Sequence, residues 1–475
     1  MLSKPKRITA LAAVLLLSAC TTPVATQNSG IETPSSWNAL QNSAVFTPST
    51  EVDQQWWMHF RDRVLDQLIA EAIANSRTLA IARARVEESR ANRAVTRAAL
   101  FPDVEAVGTA SRGNQGFLTQ NRTINLAEGD LQATWELDLF GRNQARTAEA
   151  TAILQSAEAA SQAVRVELLA EVARNYFDLR NYEQQIGLTR SNLDLQQKTY
   201  DLIRAQFQAG DASDFDVQRA GAQVSTTAAL IPALQASYDA ALNRLNILLG
   251  YPPGTRDTLL KTPEVTAPID SAILIAAPAA VLQSRPDIRA AERQLAASIS
   301  EKKAVTAELF PDISLTALFG VQGGTGFGGA PWNVAASLVQ PVLNFGRIES
   351  QIDAADARQK QNFLNYQQTV LQALENVEDA LSNYGRETVR YSSLATSVAQ
   401  NRRATDLAQQ QYTGGFTSLL DLLVAQRDLL AAESSQAESD ANLRKDLVAI
   451  YTAAGGGWHD VSDASGRVAE IDWYP

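Results

Sequence analysis

The chain says nearly the same thing twice, at an interval of about 205 to 210 residues. Leu100-Phe101-Pro102-Asp103 returns as Leu309-Phe310-Pro311-Asp312, and Phe140-Gly141-Arg142 as Phe345-Gly346-Arg347. Phe207, Gly210, Ser213 and Asp216 return as Tyr412, Gly415, Ser418 and Asp421. Because order and spacing both hold, the chain contains a duplicated structural unit rather than a chance pair of motifs. Each copy reads as helix, paired strands, very long helix, tight turn, long helix. Two such halves must pack on one another, and that layout constrains the fold more than any single residue does.

Between the first and second helices of each copy the hydrophobic period changes from 3.6 to 2. From Leu131 to Leu139 apolar and polar residues alternate without a fault. This is a strand with one greasy and one charged face, long enough for a tilted barrel strand of roughly 9–11 residues. Ile313, Leu315, Ala317, Phe319 and Val321 alternate in the second copy, and Val334, Ala336 and Leu338 do so more weakly. The matching first strand, around Val104 to Ala110, carries the faintest pattern. Such strands could pack on one side against helices in a soluble domain. If they span a membrane, four are too few to close a barrel, and the chain must oligomerise to satisfy its edges.

Proline is absent from Arg142 to about Ala209 and again from Arg347 to about Tyr412. At 1.5 Å per residue each run predicts roughly 100 Å of helix. Gly187 and Gly385 are the nearest breakers, at about 1 kcal/mol each against Ala. Gly210 and Gly415 are expected to end these helices in left-handed caps, with Ser213 and Ser418 capping the helices that return. Pro232 is expected to kink the first returning helix. Hairpins this long bury little alone and need lateral neighbours.

The N-terminus reads as a targeting segment, residues 1–19. Lys4, Lys6 and Arg7 precede an apolar stretch from Ile8 to Leu17, far short of the roughly 20 residues a spanning helix needs. Leu17-Ser18-Ala19-Cys20 resembles a bacterial lipobox, and Cys20 is the only cysteine in the chain. Lipidation at Cys20 leaves no thiol for a disulfide, so stability must come from packing. Thr21 is not the Asp that signals inner-membrane retention in such lipoproteins, which favours the outer membrane. Removing three positives takes the formal charge from -11 to about -14. That balance argues against nucleic acid as a partner. Two histidines leave little material for a metal site. No cofactor is expected.

The remaining boundaries follow from composition. Residues 20–50, rich in Thr, Ser, Pro, Asn and Gln, form a lipidated tether. The first repeat spans 51–249, a proline-rich linker 250–284, the second repeat 285–454 and a polar tail 455–475. Gly324-Thr325-Gly326-Phe327-Gly328-Gly329 spells GxGxxG, but between strands and without a following helix it is a loop. Asp287, Arg289 and Glu292 sit at a helix start, as charges usually do. No nucleophile triad or carboxylate cleft emerges, so an enzyme is not expected.

These motifs together resemble the outer membrane factor family, the TolC-like export ducts, and within it the NodT-like lipoprotein branch that serves RND-type drug-efflux pumps. The carriers are Trp56-Trp57 with Phe60 and Asp62, Leu100-Phe101-Pro102, Leu137 to Arg142, Arg285 to Glu292, Gln340 to Arg347 and Gly455-Gly456-Gly457-Trp458. The resemblance spans essentially the whole mature chain. It implies a mainly α fold with a membrane β-barrel: a homotrimer, four strands per chain closing twelve, over a periplasmic tunnel of long antiparallel helical hairpins. It implies as partners a periplasmic adaptor, an RND-type inner-membrane pump and outer-membrane lipid. The family's constricting acidic ring matches Asp421, in an iris-like gate. The second acidic position falls on Val424. The family's hydrogen-bonded clamp matches Asp216 and Tyr412, while its basic partner falls on Thr417. The turns Gly210 to Ser213 and Gly415 to Ser418 match the tips that meet the adaptor. A periplasmic adaptor lipoprotein is the competing reading, but adaptors carry one hairpin per chain and this sequence has two.

Overall fold

A computed structural model describes residues 29–39, 46–49, 52–114, 123–261, 273–324 and 327–458. The expected targeting segment, the lipidation site Cys20 and the tail beyond Trp458 lie outside the described residues.

The duplication is visible as two matching series of elements. After the short strand β1 (Phe46–Ser49) and a 3-10 turn at Trp56–Phe60 come helices α1 (Arg63–Asn75) and α2 (Arg77–Ala98). Strands β2 (Asp103–Gly113) and β3 (Ile124–Glu136) lead into α3 (Arg142–Ala209), which returns as α4 (Asp214–Leu248). Three short elements follow: α5 (Asp257–Leu260), β4 (Ile273–Ala276) and α6 (Pro278–Ser284). The second series is α7 (Pro286–Ala307), β5 (Asp312–Gly324), β6 (Phe327–Gly329), β7 (Trp332–Val339), α8 (Arg347–Thr413) and α9 (Leu419–Ala453). Helices α3 and α8 contain 68 and 67 residues, so each runs roughly 100 Å. Gly187 and Gly385 lie within them, and α4 continues through Pro232 as one element.

Several local expectations shift. The strand expected from Leu131 to Leu139 begins earlier, at Ile124, and ends at Glu136. Helix α3 then begins at Arg142, and its N-cap residue Gly141 has no side chain to cap it. The Asp138 carboxylate does so instead, accepting from Asn143 N at 3.1 Å and Gln144 N at 2.7 Å. Helix α8 ends at Thr413, two residues before the expected Gly415: Gly414 is the cap in a right-handed conformation, and Gly415 takes the left-handed one at φ 76°. The 250–284 segment is not wholly irregular, and residues of the tether are pinned. Strand β1 pairs in parallel with β4, and the Trp37 indole donates to the Ala276 carbonyl at 2.9 Å. Asn38 N and Ala39 N both donate to the Glu378 carboxylate.

The main core sits at mid-length of the hairpins. Trp56, Phe60, Leu65, Leu68, Ile69, Tyr176, Phe177, Leu245, Val448 and Tyr451 are buried together. Asp62 caps α1 through Val64 N and Leu65 N, and its second oxygen accepts from the Tyr176 hydroxyl at 2.6 Å. The Arg285-Asp287 pair is structural: the guanidinium holds the carboxylate and also donates to the Ala453 carbonyl at 2.6 Å, tying α7 to the end of α9.

The strands of both repeats form one antiparallel sheet in the order β2-β3-β5-β7, with β6 folded onto the end of β5. The join between repeats is the β3-β5 ladder, where Leu131 faces Phe319 and Ala133 faces Ala317. Strands β2 and β7 are left as the two edges.

Candidate functional site

The register sorts the sheet into two chemical faces. Val104, Ala106, Gly108 and Ala110 of β2 share a face with Gly129, Leu131, Ala133 and Trp135 of β3. Ile313, Leu315, Ala317, Phe319 and Val321 of β5, then Leu338, Ala336, Val334 and Trp332 of β7, continue it. Arg112, near the end of β2, is the one charge on that face among the described residues, and Val104, Leu131, Phe319, Val321, Trp332, Val334 and Leu338 are exposed on it. The opposite face carries Glu105, Glu128, Asp130, Gln132, Thr134, Ser314, Thr316, Gln322 and Asn333. It is acidic and wettable. A Cβ built on Gly320 would run into the Asp130 carboxylate, so that glycine makes room for the acid on the polar side. A large exposed apolar face is not how a soluble sheet ends.

At the far end of the hairpins the two turns repeat one construction. Gly210 caps α3 with φ 91°. Ser213 then accepts from Asp216 N, while the Asp216 carboxylate receives the Ser213 hydroxyl at 2.7 Å and its amide at 3.3 Å. Ser418 and Asp421 form the same reciprocal capping box, with the Ser418 hydroxyl donating at 2.6 Å. Thr417 adds a third donor to Asp421 at 3.0 Å. These hydroxyls, Ser418 first and Thr417 next, hold the Asp421 carboxyl below the usual carboxylate range. Asp421 is therefore a helix-capping acid and a fixed, exposed negative charge at once.

The expected clamp is built differently. The Tyr412 hydroxyl donates to Gln206 Oε1 at 2.9 Å rather than to Asp216, whose carboxylate the Ser213 box occupies. Burial, then the Asp216 charge, raises the Tyr412 pKa, so the two are neighbours without being bonded. Around them Ile203, Val217, Ala220, Leu419 and Leu423 form a small apolar cluster.

Two features escaped the sequence reading. Phe215 and Phe416 stand exposed at the two tips, Phe416 at 87%. One turn beyond the Ile203 and Leu423 cluster, a buried polar layer joins α3 to α9. Gln426 Nε2 donates to the Thr199 hydroxyl at 3.0 Å, Asn192 donates to the Gln426 carbonyl at 3.2 Å, and Gln196 donates to Asn192 at 2.7 Å. Thr405 of α8 also reaches the Ala425 carbonyl at 3.0 Å. Polar residues at core positions leave no mark in a hydrophobic pattern. Among the described residues no group of His, Cys, Asp and Glu is arranged to hold a metal, and no helix is long and apolar enough to cross a membrane.

Comparison with known proteins matches this geometry to a family. The family model described as outer membrane efflux protein matches residues 68–251 and 277–456, one segment for each repeat. Nodulation protein T of Rhizobium leguminosarum bv. viciae is 32% identical over 418 residues, covering 87% of this chain and 86% of that protein. The pyoverdine export outer membrane protein OpmQ of Pseudomonas aeruginosa is 29% identical over 479 residues, 97% of this chain and 98% of its own. Among solved structures, the outer-membrane channel OprN superposes with a TM-score of 0.83 at 33% identity, over 92% of this chain and all of that one. The Campylobacter jejuni CmeC outer membrane channel shares the fold with a TM-score of 0.84 at 20% identity, over 93% of this chain and 96% of that one.

Proposed function

The chain belongs to the outer membrane efflux protein family, a family of transport proteins rather than enzymes, and on that premise we propose that it is the exit duct of a tripartite efflux system. The observation that carries this reading is the two-faced sheet with two unpaired edges. Its apolar face suits lipid and its acidic face suits water, while the edges need partners that one chain cannot supply. With four strands of alternating direction per copy, β7 of one subunit meets β2 of the next antiparallel. Three copies give the twelve strands that the family resemblance implies. The helical hairpins then continue the wall into the periplasm as a tunnel of roughly 100 Å.

In this duct Cys20 carries the lipid anchor at the outer membrane. The tips at Gly210, Ser213, Gly415 and Ser418 meet a periplasmic adaptor, which links the duct to an RND-type inner-membrane pump. Exposed Phe215 and Phe416 give those tips apolar contacts. Relatives named for pyoverdine export and for antibiotic efflux support small molecules, drugs among them, as the cargo. Three Asp421 carboxylates around the axis form a negative ring that attracts cations and slows anions. Asp216 and Tyr412, the latter held to Gln206, steady the closed hairpins, and opening is an iris-like shift of them.

Single-channel conductance in a planar bilayer tests the duct and its gate. Wild-type protein should show a small, cation-preferring conductance. Asp421→Ala removes charge and cap together, so Asp421→Asn, which keeps a capping acceptor, is the decisive variant. Loss of cation preference in Asp421→Asn supports the ring. Unchanged preference moves the selectivity elsewhere, and no channel from folded wild-type protein sinks the duct.

A further inference from the structure

The repeats are related by two offsets. Asp103 to Asp312 is 209 residues, and Arg142 to Arg347 is 205. The hairpin ladders obey them: Asp103 faces Thr134 in β2-β3, and shifting each partner by its offset gives Asp312 facing Val339, the pairing found in β5-β7. The duplication therefore preserves register to the residue.

A second class of contact occurs once among the described residues. Between repeats, β3 pairs with β5, and Arg142 at the start of α3 lies between Glu136 at 2.5 Å and Asp312 at 2.9 Å. Only 18% of the Arg142 side chain is exposed. The counterpart contact, β7 with β2 and Arg347 with Asp103, joins the two opposite edges of the sheet and cannot form within one chain. Arg347 instead is 57% exposed, with the Glu308 carboxylate at 3.9 Å. Val342, at 91%, stands bare just beyond the β7 edge, and Val104 and Leu338 are exposed along the two edges.

We propose that a second copy of this chain completes the contact in the register the repeat dictates, an inference that rests on the oligomeric duct proposed above. The β3-β5 pair Ala133 and Ala317 maps to Leu338 opposite Gly108 of the partner subunit. The bond from Leu137 N to the Ile313 carbonyl maps to Val342 donating to Val104 of the partner subunit. Arg347 bridges to Asp103 of the partner subunit, at the junction of barrel and tunnel. The register keeps apolar side chains on one face across the seam, because both members of each mapped pair come from the same face of the sheet. The seam is also the weaker joint: the position of Glu136 falls on Pro341, so Arg347 has one mapped carboxylate where Arg142 has two. Charge complementarity and the continuity of the ladder both select a second copy as the occupant.

Charge reversal and directed cross-linking test the pairing. Asp103→Arg and Arg347→Asp should each lower the temperature at which the oligomer dissociates in detergent, and the double variant should recover most of the loss. Gly108→Cys combined with Leu338→Cys should oxidise to covalently linked subunits, whereas Ala106→Cys with Leu338→Cys should not. A double reversal no better than the sum of the singles overturns the ion pair. Cross-linking by the displaced pair instead overturns the register. Wild-type protein of monomeric mass in solution scattering overturns the duct reading itself and this seam with it, which separates the two failures.

Discussion

Half-buried on α9, the Asp446 carboxyl is pushed up to about 6, first by burial and next by the charge of Glu387 on α8, while Lys445 pulls the other way. Ser439 donates to Glu387, Arg390 pairs with it at 3.0 Å, and Lys445 also reaches Asp178 of α3 at 2.8 Å. A carboxyl whose folded value lies above its ordinary 3.8 binds a proton more tightly folded than unfolded. Its contribution to stability is full below about 3.8 and is lost as pH rises through about 6. Asp446→Asn should therefore raise the melting temperature at pH 8, by about 1 kcal/mol of stability after solvent screening. At pH 3.5 the gain should vanish, and calorimetry at the two pH values reads the difference directly. Gly250 obeys a different constraint. It follows α4 at φ 81°, and a Cβ there would collide with the Asn75 carbonyl at the end of α1. Gly250→Ala should cost about 1–3 kcal/mol, seen as a lower melting temperature, because both the conformation and the space are denied to it.

At the scale of elements, what the sequence made legible follows from which forces leave periodic marks. The long helices and their serine-capped returns could be read because a missing proline and a Gly-x-x-Ser turn are local signals. Strand β3 could be read because its outward residues include Leu131 and Trp135. Strand β2 was faint because its outward set is Val104, Ala106, Gly108 and Ala110, mostly too small to print a pattern. The β1-β4 pair was invisible: two four-residue strands, partnered across more than 200 residues, depend wholly on tertiary contacts. Trp37 likewise looked like part of a loose tether until its indole found Ala276. At the hairpin tips, Asp421 and Tyr412 were singled out by resemblance, but the acceptor Gln206 and the Gln426 layer were not. That layer fixes α9 against α3 near the tips, so Gln426→Leu deletes the bond to Thr199 at a cost of about 1 kcal/mol. If the layer holds the closed register, the variant should conduct more than wild type in single-channel recordings. An unchanged conductance with a lowered melting temperature would make the layer a packing feature only.

For the molecule as a whole, the sheet places neighbouring residues in opposite solvents, and that contrast is testable with a pair of adjacent substitutions. Leu131 lies on the apolar face, in register with Ala106 and Phe319 and far along the strand from Arg112. Gln132 lies on the other, between Glu105 and Leu318. If the face of Leu131 meets lipid, Leu131→Lys places an ammonium among hydrocarbon chains, at about 2–4 kcal/mol near the bilayer midplane and once per subunit. Assembly should fail, and the outer-membrane yield should fall steeply. Gln132→Lys faces water in the same geometry, so folding and yield should be kept. Its positive charge sits opposite Glu105 and two residues from Asp130 on the same face, and in a barrel it would offset part of the acidic lining. Reversal potentials in a salt gradient should then show weaker cation preference than wild type. The two variants differ by one position and carry the same charge, so net charge and helix packing cannot account for different outcomes. Equal yields would mean that the two faces of the sheet see the same medium, and a membrane barrel built on this register would fall. Loss of yield in Gln132→Lys alone would invert the assignment of faces.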